Sequence, residues 1–121
     1  MEGKDCILVD NIIEGGVTLS CSTEYVRKHG ANRILMFVPH GILTPQCLEL
    51  IDRIHVDEVI TTNSIKEHGT YSDKVRYLSV GKMLAEAICH VKENKSLEEV
   101  RNDKKIIDQK LLEIQRNKLN K

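Results

Sequence analysis

Cys6-Ile7-Leu8-Val9-Asp10-Asn11-Ile12-Ile13-Glu14-Gly15-Gly16-Val17-Thr18-Leu19 is the stretch on which the fold turns. A short apolar run reads as a buried strand, an acidic step ends it, two glycines make a turn, and a helix opens after them. That order places backbone N–H groups at a helix N-terminus, where they can hold a phosphate. Asp10, at the strand's end, can accept hydrogen bonds from sugar hydroxyls. Many strand-to-helix turns carry Gly-Gly for tight geometry alone, so a turn that binds nothing is the alternative. Neither the G-x-G-x-x-G dinucleotide fingerprint nor the G-x-x-x-x-G-K-[ST] nucleotide loop is present, and a sugar phosphate fits better than those two ligand classes.

Working outward, the first strand is expected over Cys6 to Asp10 and a helix over Thr18 to Lys28, stopped at His29-Gly30 by a glycine cap. Arg33 to Val38 reads as a second strand that Pro39-His40-Gly41 breaks. Thr44-Pro45 supplies an N-cap and a proline at the first helical position, opening a helix to about Ile54. Asp57 to Thr62 is a third strand, polar Ser64 to Asp73 a surface loop, and Val75 to Ser79 a fourth strand. Gly81 to about Lys92 is a helix with Leu84, Ala85 and Ile88 on its apolar face. Strands alternating with helices predict an α/β fold with a mainly parallel sheet flanked by helices. On such sheets ligands sit outside the carboxyl ends of the strands, where the acidic glycine loop falls.

Ser96-Leu97-Glu98-Glu99 is a capping box that opens a last, charge-rich helix to roughly Asn117. Val100, Ile107, Leu111 and Ile114 form a stripe interrupted by Lys104, while Ile106 and Leu112 widen it, so docking on its own domain fits better than a dimer zipper.

The chain has 121 residues, enough for one compact domain and little more. Basic and acidic residues balance at 18 each, so no global charge draws it to nucleic acid or a membrane surface. Cys6, Cys21, Cys47 and Cys89 lack any Cys-x-x-Cys pair and read as reduced, packed thiols. His29, His40, His55, His68 and His90 show no ligand spacing, which disfavours a structural zinc site. No segment resembles a signal peptide or is long enough to span a bilayer, and a soluble cytoplasmic protein is expected. His40, Asn63 and Ser64 lie at strand ends, where turn or packing roles fit them as well as ligand contact, and none receives a catalytic role.

Several segments in order extend the reading: Gly3 to Asp10, His29-Gly30-Ala31, His40-Gly41-Ile42-Leu43, Val59 to Ile65, and Leu84-Ala85-Glu86-Ala87-Ile88. Over about residues 3 to 95 the chain resembles the C-terminal half of ribose-phosphate pyrophosphokinase (PRPP synthetase), of the type I phosphoribosyltransferase fold. The resemblance implies a phosphoribosyltransferase-like, ribose-5-phosphate-binding domain over 1–95 and a helical extension over 96–121. It makes Asp10 to Thr18 the ribose-5-phosphate loop. Asp10 matches the aspartate that contacts the ribose hydroxyls, and Glu14, Gly15, Gly16, Val17 and Thr18 fall where the family wraps the 5-phosphate.

The family pattern of that loop is Asp-Asp, two apolar residues, then Asp-Thr-Gly-Gly-Thr or a close variant. Here Asn11 replaces the second aspartate and removes a negative charge, Gly15 stands where a hydroxyl is usual, and Val17 where a small residue is usual. Metal affinity is expected to fall accordingly, and phosphate binding to be weakened or lost; the alternative is that Glu14 and Gly15 re-form an equivalent turn, since amide donors do not depend on side-chain identity.

The full-length family uses Mg2+ with ATP; for this chain the resemblance assigns neither, and the family's other half, with most ATP contacts and a mobile loop carrying its catalytic lysine and arginine, has no counterpart here. Two readings fit. One is the ribose-5-phosphate half of a PRPP synthetase, inactive alone, which the short Met1-Glu2-Gly3 lead-in favours; the other is a non-catalytic, PRPP synthetase-associated regulatory or scaffold subunit, which Asn11 and Gly15 favour. Implied partners are ribose 5-phosphate and PRPP synthetase subunits or further copies of the chain.

Overall fold

The computed structural model describes residues 1–66 and 72–101. They form two compact units, the first running from Met1 to Val80 and the second beginning at Gly81. In the first, β1 (Cys6–Val9) and β2 (Ile12–Ile13) both pair parallel with β3 (Ile34–Gly41). Val9 stands opposite Phe37 and Ile12 opposite His40, so the register is unchanged across the gap. Asp10 and Asn11 interrupt what is otherwise one continuous strand path, each keeping one backbone hydrogen bond to β3. β4 (Glu58–Thr62) follows beside β3 and β5 (Val75–Leu78) beside β4, giving the order β1-β3-β4-β5 with every strand parallel to its neighbour. Helix α1 (Val17–Lys28) connects β2 to β3, and α2 (Pro45–Arg53) connects β3 to β4. This is the α/β architecture, a parallel sheet flanked by helices, that the sequence implied.

One core explains the arrangement. β3 alternates, burying Ile34, Met36 and Val38, and these pack in one cluster with Leu19 and Val26 of α1, Cys47, Leu48 and Ile51 of α2, and Val59 of β4. The period-2 pattern of the strand thus meets the 3- and 4-residue spacing of two helices. On β1 the other face stays open, with Ile7 and Val9 exposed. The carboxyl end of α2 is closed by Lys74, whose Nζ donates to the carbonyls of Ile51, Asp52 and Ile54 at 3.0, 3.1 and 2.9 Å. A lysine there satisfies helix-end acceptors and complements the helix dipole.

Two expectations need correction. Pro39-His40-Gly41 does not break the second apolar run; β3 continues through it to Gly41. The proline lies opposite Asn11, where the ladder is already interrupted, so its missing N–H costs no strand pairing. The cysteines are not all packed: Cys47 is buried, but Cys21 and Cys89 are exposed. In α1 the buried positions are Leu19, Thr23 and Val26, and Cys21 falls off that stripe.

In the second unit, α3 (Gly81–Lys92) has the expected bounds, and α4 (Leu97–Arg101) follows a turn in which Asn94 adopts φ 53° and Lys95 N donates to His90 O at 2.8 Å. Ser96 Oγ accepts from Glu98 N at 3.1 Å, the side-chain cap expected of this start. The rest of the predicted last helix, with Lys104, Ile106, Ile107, Leu111, Leu112 and Ile114, lies outside the described residues, as do residues 67–71 of the Ser64 to Asp73 loop. Among the described residues no helix is long and apolar enough to cross a membrane.

Candidate functional site

The loop between β1 and α1 starts where the ladder lets go. Asp10 N still donates to Phe37 O at 3.2 Å, but the Asp10 carboxylate turns back to accept from Asn11 N at 2.8 Å. An aspartate bonded to the next amide competes with strand pairing. Ile13 then plugs into the core, leaving Glu14 and Gly15 exposed and Gly16 buried. Gly16 has φ 79°, a left-handed value suited to glycine, and lies so close to α2 that a Cβ would sit 3.0 Å from Cys47 Sγ and 3.2 Å from Leu50 Cδ2. Burial pushes the Cys47 thiol up to about 11, so a neutral S–H faces this glycine.

Gly16 is also the N-cap of α1, without a side-chain cap, and no acidic residue occupies the helix's first turn. The first helical bond is Ser20 N to Gly16 O, at 2.9 Å. The amides of Val17, Thr18 and Leu19 therefore have no helical acceptor, and they carry the positive end of the helix dipole.

A cavity of about 230 Å³ opens at this point, lined by Asp10, Glu14, Gly15, Gly16, Val17 and Thr18, with Ile12, Ile13, Leu19 and Met36 completing it. Six of the seven residues singled out in the sequence are thus brought together; Asn11 is exposed, does not line the cavity, and offers its carbonyl to His40 N at 3.3 Å. Met36, contributed by the central strand, was not legible as a site residue, because only the register of β3 carries it under the loop. Among the described residues no lysine or arginine lines the cavity, so an anion here would rely on backbone amides and the Thr18 hydroxyl against the carboxylates of Asp10 and Glu14.

His40, Asn63 and Ser64 form a separate polar cluster at the carboxyl ends of β3 and β4. His40 Nδ1 lies 2.8 Å from Ser64 Oγ, Asn63 Oδ1 accepts from Val80 N at 2.9 Å, and Ser64 Oγ donates to Pro39 O at 3.2 Å. None of the three lines the cavity.

A family model described as the phosphoribosyl synthetase-associated domain matches residues 1–101. The chain belongs to the phosphoribosyl synthetase-associated domain family. Ribose-phosphate pyrophosphokinases of Shewanella oneidensis and Vibrio parahaemolyticus are 34% and 33% identical to it over 99 residues, each match covering 80% of this chain. Those alignments take in 31% and 32% of the relatives, so the chain spans about a third of the length of the curated relatives it matches. The crystal structure of phosphoribosylpyrophosphate synthetase from Mycobacterium smegmatis superposes with a TM-score of 0.73 at 30% identity, over 77% of this chain and 32% of that one.

Among the described residues no three His, Cys, Asp or Glu groups converge on one point. Asp10 and Glu14 are the acidic groups at the cavity, and they are the residues that would hold a magnesium ion arriving with waters and a phosphate ligand. The chemistry this loop offers is recognition, by amides for an anion and by a carboxylate for hydroxyls.

Proposed function

We propose that this chain is the ribose-5-phosphate-binding domain of a PRPP synthetase, equivalent to the C-terminal half of that enzyme, and that it does not form PRPP alone. The phosphate is taken by the amides of Gly15 to Leu19 at the start of α1, with the Thr18 hydroxyl as a further donor. The Asp10 carboxylate accepts from the ribose hydroxyls through Oδ2, since Oδ1 is held by Asn11 N. The observation that carries this reading is that one cavity is lined both by Asp10 and by Gly16 to Leu19, the start of α1 that no side chain caps. Kinship with ribose-phosphate pyrophosphokinases over most of the chain supports it. PRPP formation needs metal and cations around the transferred group, and this loop supplies only part of that set.

A second reading, a non-catalytic PRPP synthetase-associated regulatory or scaffold subunit acting in a cytoplasmic oligomer, is favoured by Asn11. That residue stands outside the cavity and lacks the charge of the aspartate it replaces. Calorimetric titration of ribose 5-phosphate with magnesium into wild type and Asp10→Ala decides between them. Saturable heat in the wild type that the variant loses supports the sugar-phosphate domain. No heat with either protein, both folded by circular dichroism, refutes it and leaves the subunit reading.

A further inference from the structure

The carbonyls of Asn11, Ile13 and Glu14 are all taken by one segment, the last residues of β3 and the turn into α2. His40 N donates to Asn11 O at 3.3 Å, Ile42 N to Ile13 O at 2.8 Å, and Leu43 N to Ile13 O at 3.4 Å. Thr44 closes the series twice, its N donating to Glu14 O at 3.4 Å and its Oγ1 donating to the same oxygen at 3.3 Å. The same Oγ1 accepts from Cys47 N at 3.3 Å and so caps α2. One hydroxyl therefore faces two ways, giving its proton to the loop and its lone pair to the helix.

The turn that presents it is held against its own preference. Leu43 adopts φ 47°, a left-handed value uncommon for residues other than glycine, and keeps it with the side chain 2% exposed in the core. A conformation of that kind persists where the surroundings over-determine it. Gly41, just before, has no room for a Cβ, which would fall 2.7 Å from Thr61 Oγ1 and 3.2 Å from Leu43 Cγ. Gly16, at the far end of the loop, rests on Cys47 and Leu50 of the helix that Thr44 caps. The loop is thus tied near its middle to a rigid turn and supported at its end by the helix growing from that turn.

We propose that the Ile42–Thr44 turn positions the phosphate loop, with Thr44 as the positioning residue whose hydroxyl holds the Glu14 carbonyl and so aims the amides that follow. The inference rests on the sugar-phosphate reading of the loop for its functional consequence, though not for its structural one. The simpler account is that Thr44 only caps α2.

Thr44→Val removes the hydroxyl at nearly constant shape, and Thr44→Ser restores it. Backbone order parameters of Gly15 and Gly16, measured by 15N relaxation in the ligand-free protein, are expected to fall from about 0.85 to below about 0.6 in Thr44→Val and to recover in Thr44→Ser. Ribose 5-phosphate affinity is expected to weaken about tenfold in the valine variant and to return with serine. Unchanged order at Gly15 and Gly16, with only Cys47 and Leu48 amides disturbed, would reduce Thr44 to a cap and overturn the proposal. If the wild type binds no ribose 5-phosphate, the reading of the ligand fails, while the order parameters still decide whether Thr44 holds the loop.

Discussion

Replacing Gly16 by alanine, with Gly15→Ala as its neighbour and control, probes the geometry that makes the loop. At Gly16 the new side chain meets two costs. Its φ of 79° lies in the left-handed region, where an L-residue loses about 1–2 kcal/mol. Its Cβ also lands 3.0 Å from Cys47 Sγ and 3.2 Å from Leu50 Cδ2, and overpacking a filled site costs about 1–3 kcal/mol. Cys47 is fully buried, so its sulfur has little freedom to retreat. The sum is about 2–5 kcal/mol, or a fall in Tm of about 10 °C or more for a domain of this size. At Gly15 a Cβ meets nothing within 4 Å, so the substitution should leave stability unchanged or raise it by a few tenths of a kcal/mol through the unfolded chain. Urea unfolding followed by circular dichroism at 222 nm measures both, and adding Cys47→Ala to Gly16→Ala should return part of the loss as a coupling of about 1 kcal/mol. Equal stability of Gly16→Ala and wild type, or equal losses at the two glycines, would refute the claim that Gly16 alone carries the turn.

Lys74→Met should cost about 1.5–3 kcal/mol in the same urea assay, because the carbonyls of Ile51, Asp52 and Ile54 lose a shared ammonium donor. A loss below about 0.5 kcal/mol would mean water replaces it fully. The Cys47 thiol is raised from 9.0 to about 11 in the folded chain, so its proton is held more tightly there than when unfolded. Its stabilisation is complete below pH 9 and drains away between pH 9 and 11, by about 1.4 kcal/mol per pH unit, a slope that Cys47→Ala should flatten in urea titrations across that window. Iodoacetamide at pH 8, read by mass spectrometry, should label exposed Cys21 and Cys89 quickly and buried Cys47 only on unfolding; rapid labelling of Cys47 in the native protein would contradict its burial.

Much of the fold could be read from local chemistry. The bounds of α3 and the Thr44 cap of α2 followed from helix formers and the Thr-Pro pair, since these signals act within a turn of where they stand. Strand Ile34–Gly41 was the exception. A proline is a breaker by local rules, and only the partner strand reveals that its lost N–H falls opposite an interruption. The cysteines failed for a related reason: helical content says nothing of which face a residue occupies until a core exists to choose it.

The sequence by itself determined that a strand, an acidic step, a glycine turn and a helix start come in that order, because strand and helix preferences and the freedom of glycine are properties of a few adjacent residues. It also determined which residues can donate or accept there. Tertiary structure decided the rest. Met36 completes the cavity only because β3 lies beside β1 in one register, and Asn11 leaves it because its carbonyl is drawn to His40. The tie from Thr44 to Glu14 joins residues 30 apart in the chain, through a turn whose left-handed Leu43 no local preference would select. Contacts of that span depend on how the sheet and helices close around a common core, and no pattern of neighbouring residues records them.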